Sequence, residues 1–112
     1  MNRDCGLTSE DISAITNVVS RFVEIDQAVL FGSRAKGNYK AGSDVDISIE
    51  GEKITHRTVI RLSAFLNEVT RMPYHFDIVQ FNAIKNEELK EHIRRVGIIL
   101  YERTSQKTKE DA

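Results

Sequence analysis

A single cysteine and a single proline stand in the 112 residues of this chain. Cys5 has no second thiol to pair with, so no internal disulfide frames the fold, and a reducing, cytoplasmic setting is expected. An apolar run of the roughly 18 residues that a membrane span needs is also missing. The opening MNRDCGLTSE lacks the apolar core of a signal peptide, so membrane insertion is excluded. Charge of one sign is absent too. Sixteen basic residues face 17 acidic ones, a formal net charge of −1. No global basic field draws the chain to nucleic acid, and direct nucleic-acid binding is not expected. Any phosphate recognition must therefore be local. The sequence shows no internal repeat and no linker, which points to one domain over residues 1–103 and a polar, disordered tail, TSQKTKEDA, over residues 104–112.

What is present is an ordinary globular pattern, 40% hydrophobic and 29% charged. Ile12, Ile15, Val18, Val19 and Phe22 recur at helical steps, predicting an amphipathic helix over 8–23. Thr8 and Asp11 have the spacing of a capping box at its start. Ala28 to Phe31 reads as a buried strand stopped by Gly32, and residues 32–43 as loop with at most one helical turn after Ser33. Asp46 to Glu50 alternates as a strand, and Val59, Leu62, Phe65, Leu66 and Val69 predict a helix over 55–71 closed by Pro73. Tyr74 to Phe81 alternates again, with Phe76 and Ile78 on one side and His75, Asp77 and Val79 on the other. A last helix is expected over Glu87 to Val96 with Gly97 as its cap, then a buried strand over Ile98 to Tyr101. This order predicts an α/β (α+β) domain, a small mixed sheet with helices packed on at least one face.

One stretch departs from what mere stability requires. A buried strand delivers the chain into Gly32 and Ser33, where backbone N–H groups and a hydroxyl can approach a bulky anion. Arg34 and Lys36 lie within reach of the same place. After ten intervening residues come Asp44 and Asp46. In an extended chain they share a face roughly 6.5 Å apart. Carboxylates so placed repel each other unless a cation sits between them, and Mg²⁺, an oxygen-seeking ion, suits that position. Asp77, mid-strand among apolar neighbours, also calls for a partner, which a second metal would supply.

Competing motifs fail. Lys36 is followed by Gly37 and Asn38, not by the hydroxyl residue of a Walker A loop. An EF-hand starting at Asp44 would meet Ile49 and Thr55 where glycine and glutamate belong. No dinucleotide-binding glycine motif is present, and His56, His75 and His92 lack zinc-ligand spacing.

Gly32-Ser33, the ten-residue gap, Asp44-x-Asp46 and a later strand aspartate together resemble the nucleotidyltransferase fold of the DNA polymerase β superfamily. More narrowly, the short chain resembles the minimal nucleotidyltransferases (MNT), antitoxin partners in HEPN–MNT toxin–antitoxin pairs. That resemblance implies an enzyme moving a nucleoside monophosphate, AMP from ATP, onto a hydroxyl, with two Mg²⁺ ions. It implies that Gly32 and Ser33 hold the nucleotide phosphates, with Arg34 and Lys36 as further contacts. It implies that Asp44, Asp46 and Asp77 share the metals and that Asp77 helps deprotonate the attacking hydroxyl. Larger relatives carry an additional substrate-holding domain that is lacking here. The resemblance therefore implies a separate helical, HEPN-type partner from the neighbouring gene, and leaves both homo- and hetero-oligomers open. The alternative is an antitoxin that neutralises its partner by binding alone.

Blander readings stand beside these. Asp44 and Asp46 alone would pass for a solvated acidic turn, and only the upstream Gly-Ser at matched spacing argues otherwise. Asp77 would pass for an edge-strand aspartate, Lys40 for a surface charge, Tyr39 for a half-exposed loop residue, His75 for a structural histidine and Cys5 for an incidental one.

Overall fold

The computed structural model describes residues 5–103; the segment expected as a polar tail lies outside them. The first helix, α1 (Ser9–Ser20), starts on the expected cap: the Thr8 hydroxyl accepts the Asp11 N–H and the Asp11 carboxylate accepts the Thr8 N–H, both at 3.0 Å. It buries Ile15, Val18 and Val19. Phe22, expected within the helix, is buried just beyond its end, where tighter turns close the helix.

Four strands follow, β1 (Gln27–Phe31), β2 (Val45–Glu50), β3 (Phe76–Gln80) and β4 (Ile98–Glu102), in the sheet order β3-β2-β1-β4. The pairs β1–β2 and β1–β4 are antiparallel, whereas β2–β3 is parallel. A parallel pair needs a crossover. It is supplied by α3 (His56–Ala64), which runs on into a π-helical turn, Phe65–Val69. The short helix α2 (Gly32–Lys36) opens the β1–β2 connection, starting at Gly32 itself, one residue before the expected turn.

Strand alternation divides the apolar residues between two faces. Ala28, Leu30, Val45, Ile47, Ile49, Phe76, Ile78 and Leu100 join Ile15, Val18, Val19, Leu62 and Leu66 in the main core under α1 and α3. On the opposite face α4 (Glu87–Val96) lays Ile93 and Leu89 against Phe31, Val29, Val79 and Phe81. The expected mixed sheet is therefore covered on both sides, although α4 covers only part of its face.

Two expectations are corrected. β4 is an edge strand: Leu100 is buried but Ile99 is 54% exposed, so its apolar run does not mark full burial. Cys5 is buried in the main core, where it acts as a small apolar side chain. Gly97 caps α4 as expected, in an extended conformation (φ −61°, ψ 147°). A side chain there would collide with the Ile93 carbonyl and Val29, so glycine serves the close approach of α4 to β1.

The π turn has a structural result for β3. Asn67, within it, accepts the Phe76 N–H through Oδ1 (2.7 Å) and donates through Nδ2 to the Phe76 carbonyl (3.0 Å) and to Ser63 Oγ (3.2 Å). One amide side chain thus substitutes for a neighbouring strand at the first residue of the β3 edge. Asn67→Ala is expected to lower stability by about 1–3 kcal/mol, the effect of stranding both Phe76 groups. Thermal melts and amide exchange at Phe76 measure this. A loss below about 0.5 kcal/mol, the level of an ordinary surface change, would mean that water replaces the clamp.

Candidate active site

The site is built where β1 hands the chain to α2. Phe31 pairs with Asp46 across the β1–β2 ladder. The next residue, Gly32, has φ +78°, and a Cβ on it would run into the Asp46 carboxylate. Both facts require glycine: the conformation is left-handed, and the carboxylate occupies the space of a side chain. The Gly32 N–H donates to Nε2 of His92 on α4 (3.2 Å). Ser33, half-buried, follows in the first turn of α2, and Lys36 stands exposed at its end.

The three aspartates meet at the same corner of the sheet. Asp46 and Asp77 are direct partners in the parallel β2–β3 register. Asp44 lies two residues before Asp46, exposed, with Oδ1 3.5 Å from Nδ1 of His75. Asp46 is half-buried, and its pKa rises to about 6, first because burial disfavours its charge, then because Asp77 and Asp44 repel it. His75 acts weakly in the opposite direction. His75 therefore adjoins this group, as its place on the Asp77 face suggested.

Two sequence arguments are revised. Asp77 is exposed on an edge strand, so it needs no partner on account of burial; its significance lies in its register with Asp46. Arg34 is turned inward and is 3% exposed. Its Nε and Nη2 donate to the Ser43 carbonyl (3.2 and 3.1 Å), and Nη1 donates to the Cys5 carbonyl (3.0 Å). The rings of Tyr39 and Tyr74 flank its guanidinium at 5.0 and 5.1 Å. Arg34 thus braces the loop that returns to Asp44, and the structure does not aim it at a phosphate. Its charge drew it into the expected phosphate set, but its burial follows from contacts with residues 5, 43 and 74.

The donor set suits a hard divalent cation: three carboxylates, all oxygen, one of them held toward protonation by burial and then by the other two. As the side chains stand, among the described residues no group of three or more His, Cys, Asp or Glu is arranged to hold a metal ion. Asp44 leans on His75 instead. Three further residues near this corner escaped the sequence reading: His92, which caps Gly32; Asn67, which clamps the backbone of Phe76, the residue before Asp77; and Tyr74, whose hydroxyl donates to Asp11 (2.7 Å) beside Arg34. No spacing motif links them to the site: His92 and Tyr74 act on residues 60 and 63 positions away, and Asn67 acts on Phe76 through a bond that forms only when the chain folds.

Comparison with known proteins identifies the family and the fold. The family described as polymerase beta, nucleotidyltransferase matches residues 13–106. A probable protein adenylyltransferase MntA of Haemophilus influenzae is 29% identical over 98 residues, 87% of this chain and 84% of that protein. The solved toxin–antitoxin MntA–HepT superposes with a TM-score of 0.65 at 15% identity, over 88% of this chain and 76% of the other. A toxin–antitoxin solved with AMP-PNP gives 0.62 at 18% identity, over 81% and 76%. At these identities the structural likeness speaks for the fold.

The raised Asp46 pKa has a testable sign. Because the folded chain prefers the protonated carboxyl, Asp46 favours folding at low pH, and that contribution is lost as pH rises through about 6. Without divalent metal, Asp46→Asn is expected to be more stable than the parent at pH 7.5 by about 1 kcal/mol after solvent screening, roughly 4–8 °C in Tm. The gap should close as pH falls towards the ordinary carboxylate value of 3.8. Equal melting temperatures at both pH values would show that solvent already relieves the repulsion.

Proposed function

Because the chain belongs to the polymerase β family of nucleotidyltransferases, we propose that it transfers AMP from ATP to a hydroxyl on a helical partner protein, as the antitoxin of a toxin–antitoxin pair. The observation that carries this reading is the contact of the Asp46 carboxylate with Gly32, with Asp77 in register beside it. It brings the Gly32-Ser33 turn and the acidic side chains to one corner. The MntA relative named as a protein adenylyltransferase, and the toxin–antitoxin solved with AMP-PNP, support the nucleotide and the kind of partner.

In this reading Gly32 and Ser33 hold the β- and γ-phosphates, Gly32 by letting the backbone approach closely and Ser33 through its N–H and hydroxyl, and Lys36 adds charge from the end of α2. Asp44, Asp46 and Asp77 would hold Mg²⁺, two ions in the full site. When bound, Mg²⁺ neutralises the phosphates and favours the attacking and leaving oxygens of an in-line displacement. Asp77, exposed on the edge strand, accepts the proton of the incoming hydroxyl. The hydroxyl oxygen bonds to the α-phosphorus, the bond from that phosphorus to the bridging oxygen breaks, and pyrophosphate leaves. Ordering of the reactants and neutralisation of charge account for the rate, with no covalent intermediate on the protein. The domain over residues 1–103 carries this chemistry in the cytoplasm. No helix of the described residues is long and apolar enough to cross a membrane.

Label transfer from α-³²P-ATP with Mg²⁺, with and without the helical protein encoded next to this chain, tests the reading. Label is expected on the partner, reduced at least 100-fold in Asp44→Asn or Asp46→Asn, the order of losing one electrostatic contributor to the transition state. A tight complex with no label from any of the four NTPs would instead make the chain a binding antitoxin.

A further inference from the structure

The Phe31–Gly32 peptide is the pivot between the ladder and the candidate phosphate turn. The β1–β2 pairing ends at Phe31 opposite Asp46, and Gly32 opens a helix whose first N–H groups have no partner within it. The Gly32 N–H is taken by a side chain from 60 residues further along the sequence, Nε2 of His92. That ring is not free to wander. It stands edge-on to Phe31, with centroids 6.3 Å apart and planes at 80°, and the next residue on α4, Ile93, is buried with Phe31 and Phe81. The packing of α4 therefore decides where the acceptor sits. To accept, Nε2 must carry no proton. Burial, then Lys36 and Arg95, hold the imidazole below its ordinary pKa and so in that neutral form.

We propose that His92 is a positioning residue for the nucleotide phosphates: by holding the Gly32 N–H it sets the Phe31–Gly32 peptide, and with it the placement of Ser33 beside Asp46. Without this hold the peptide is free to rotate about the only residue in the turn that has no side chain to resist it. Gly32 and Ser33 would then meet the phosphates in several orientations instead of one, and nucleotide binding bears the loss. The three aspartates, on β2 and β3 and just ahead of β2, keep their own support. The step after binding is therefore affected far less. This inference rests on the nucleotidyltransferase reading of the turn.

The test compares His92→Leu, which removes the acceptor, with His92→Gln, whose amide oxygen reaches the place of Nε2. The full chain is titrated with Mg-ATP by NMR, and AMP transfer is followed with the partner present. In His92→Leu the Kd and KM for Mg-ATP are expected to rise about tenfold, the effect of one lost hydrogen bond, with kcat within about threefold. His92→Gln should recover most of that loss. A coupling across the hydrogen bond between the Gly32 nitrogen and Nε2 should be seen in the ligand-free parent. A purely structural histidine would lower Tm in both variants without separating KM from kcat and without rescue by glutamine. That result, or an unchanged Kd in a folded His92→Leu, would overturn the proposal. If the parent binds Mg-ATP in a His92-dependent way yet transfers nothing, the transfer reading fails and the role of His92 stands. If the parent binds no nucleotide, both fall.

Discussion

Asp46 and Gly32 occupy space that only one side chain can fill. The antiparallel register sets Asp46 opposite Phe31, and the chain then turns so closely past the carboxylate that residue 32 can carry no Cβ. Much of the corner is arranged around that crowding. Arg34 ties the outgoing and returning limbs of the loop to the N-terminal segment, keeping Ser43, and hence Asp44, within reach of the turn. His92 holds the peptide just ahead of it from the other side of the sheet. These are contacts between elements far apart in the chain, so the corner exists only once the sheet and both helical layers are assembled.

The same corner works against stability. Three acidic side chains share one end of two neighbouring strands, and the most buried of them is pushed toward its neutral form. A chain selected for stability alone would not retain this arrangement; perturbed carboxylates in a partly buried group are characteristic of sites that act on charged ligands. The main core carries the burden, with Ile15, Val19, Leu30, Ile47, Ile49, Leu62 and Leu66 fully shielded from solvent. Burial of that kind contributes roughly 1.5–3 kcal/mol for each large aliphatic side chain before chain entropy is set against it.

Periodicity and capping chemistry made the elements legible. The capping box at Thr8, the span of α4 and the alternation in β2 and β3 all appear in the structure where the residues suggested. The two-layer cover of the mixed sheet was only partly legible, because alternation tells which residues share a face and not how many faces are covered. The acidic residues and the Gly-Ser turn were legible as a pattern, since they lie close together in the chain. Their supporting groups were not. Arg34 looked like a phosphate ligand because its type is the same whether it points outward or lies between Tyr39 and Tyr74. Asn67 and His92 gain their meaning from hydrogen bonds to Phe76 and Gly32, which no local spacing encodes. Cys5 looked incidental because its neighbours in sequence are polar, although its neighbours in space are not.

The parallel pairing of β2 with β3 joins Asp46 to Asp77 and, one residue to either side, Val45 to Phe76 and Ile47 to Ile78. A strand has only two faces, so sliding β3 by one position would turn Asp77 into the core and Phe76 out of it. No slipped form can therefore keep the acidic pair while losing the packing, or the reverse. Quality control and chemistry share one criterion in this chain. Whatever recognises the aligned carboxylates, be it an ion, a nucleotide or a partner, is at the same time selecting molecules whose core closed correctly.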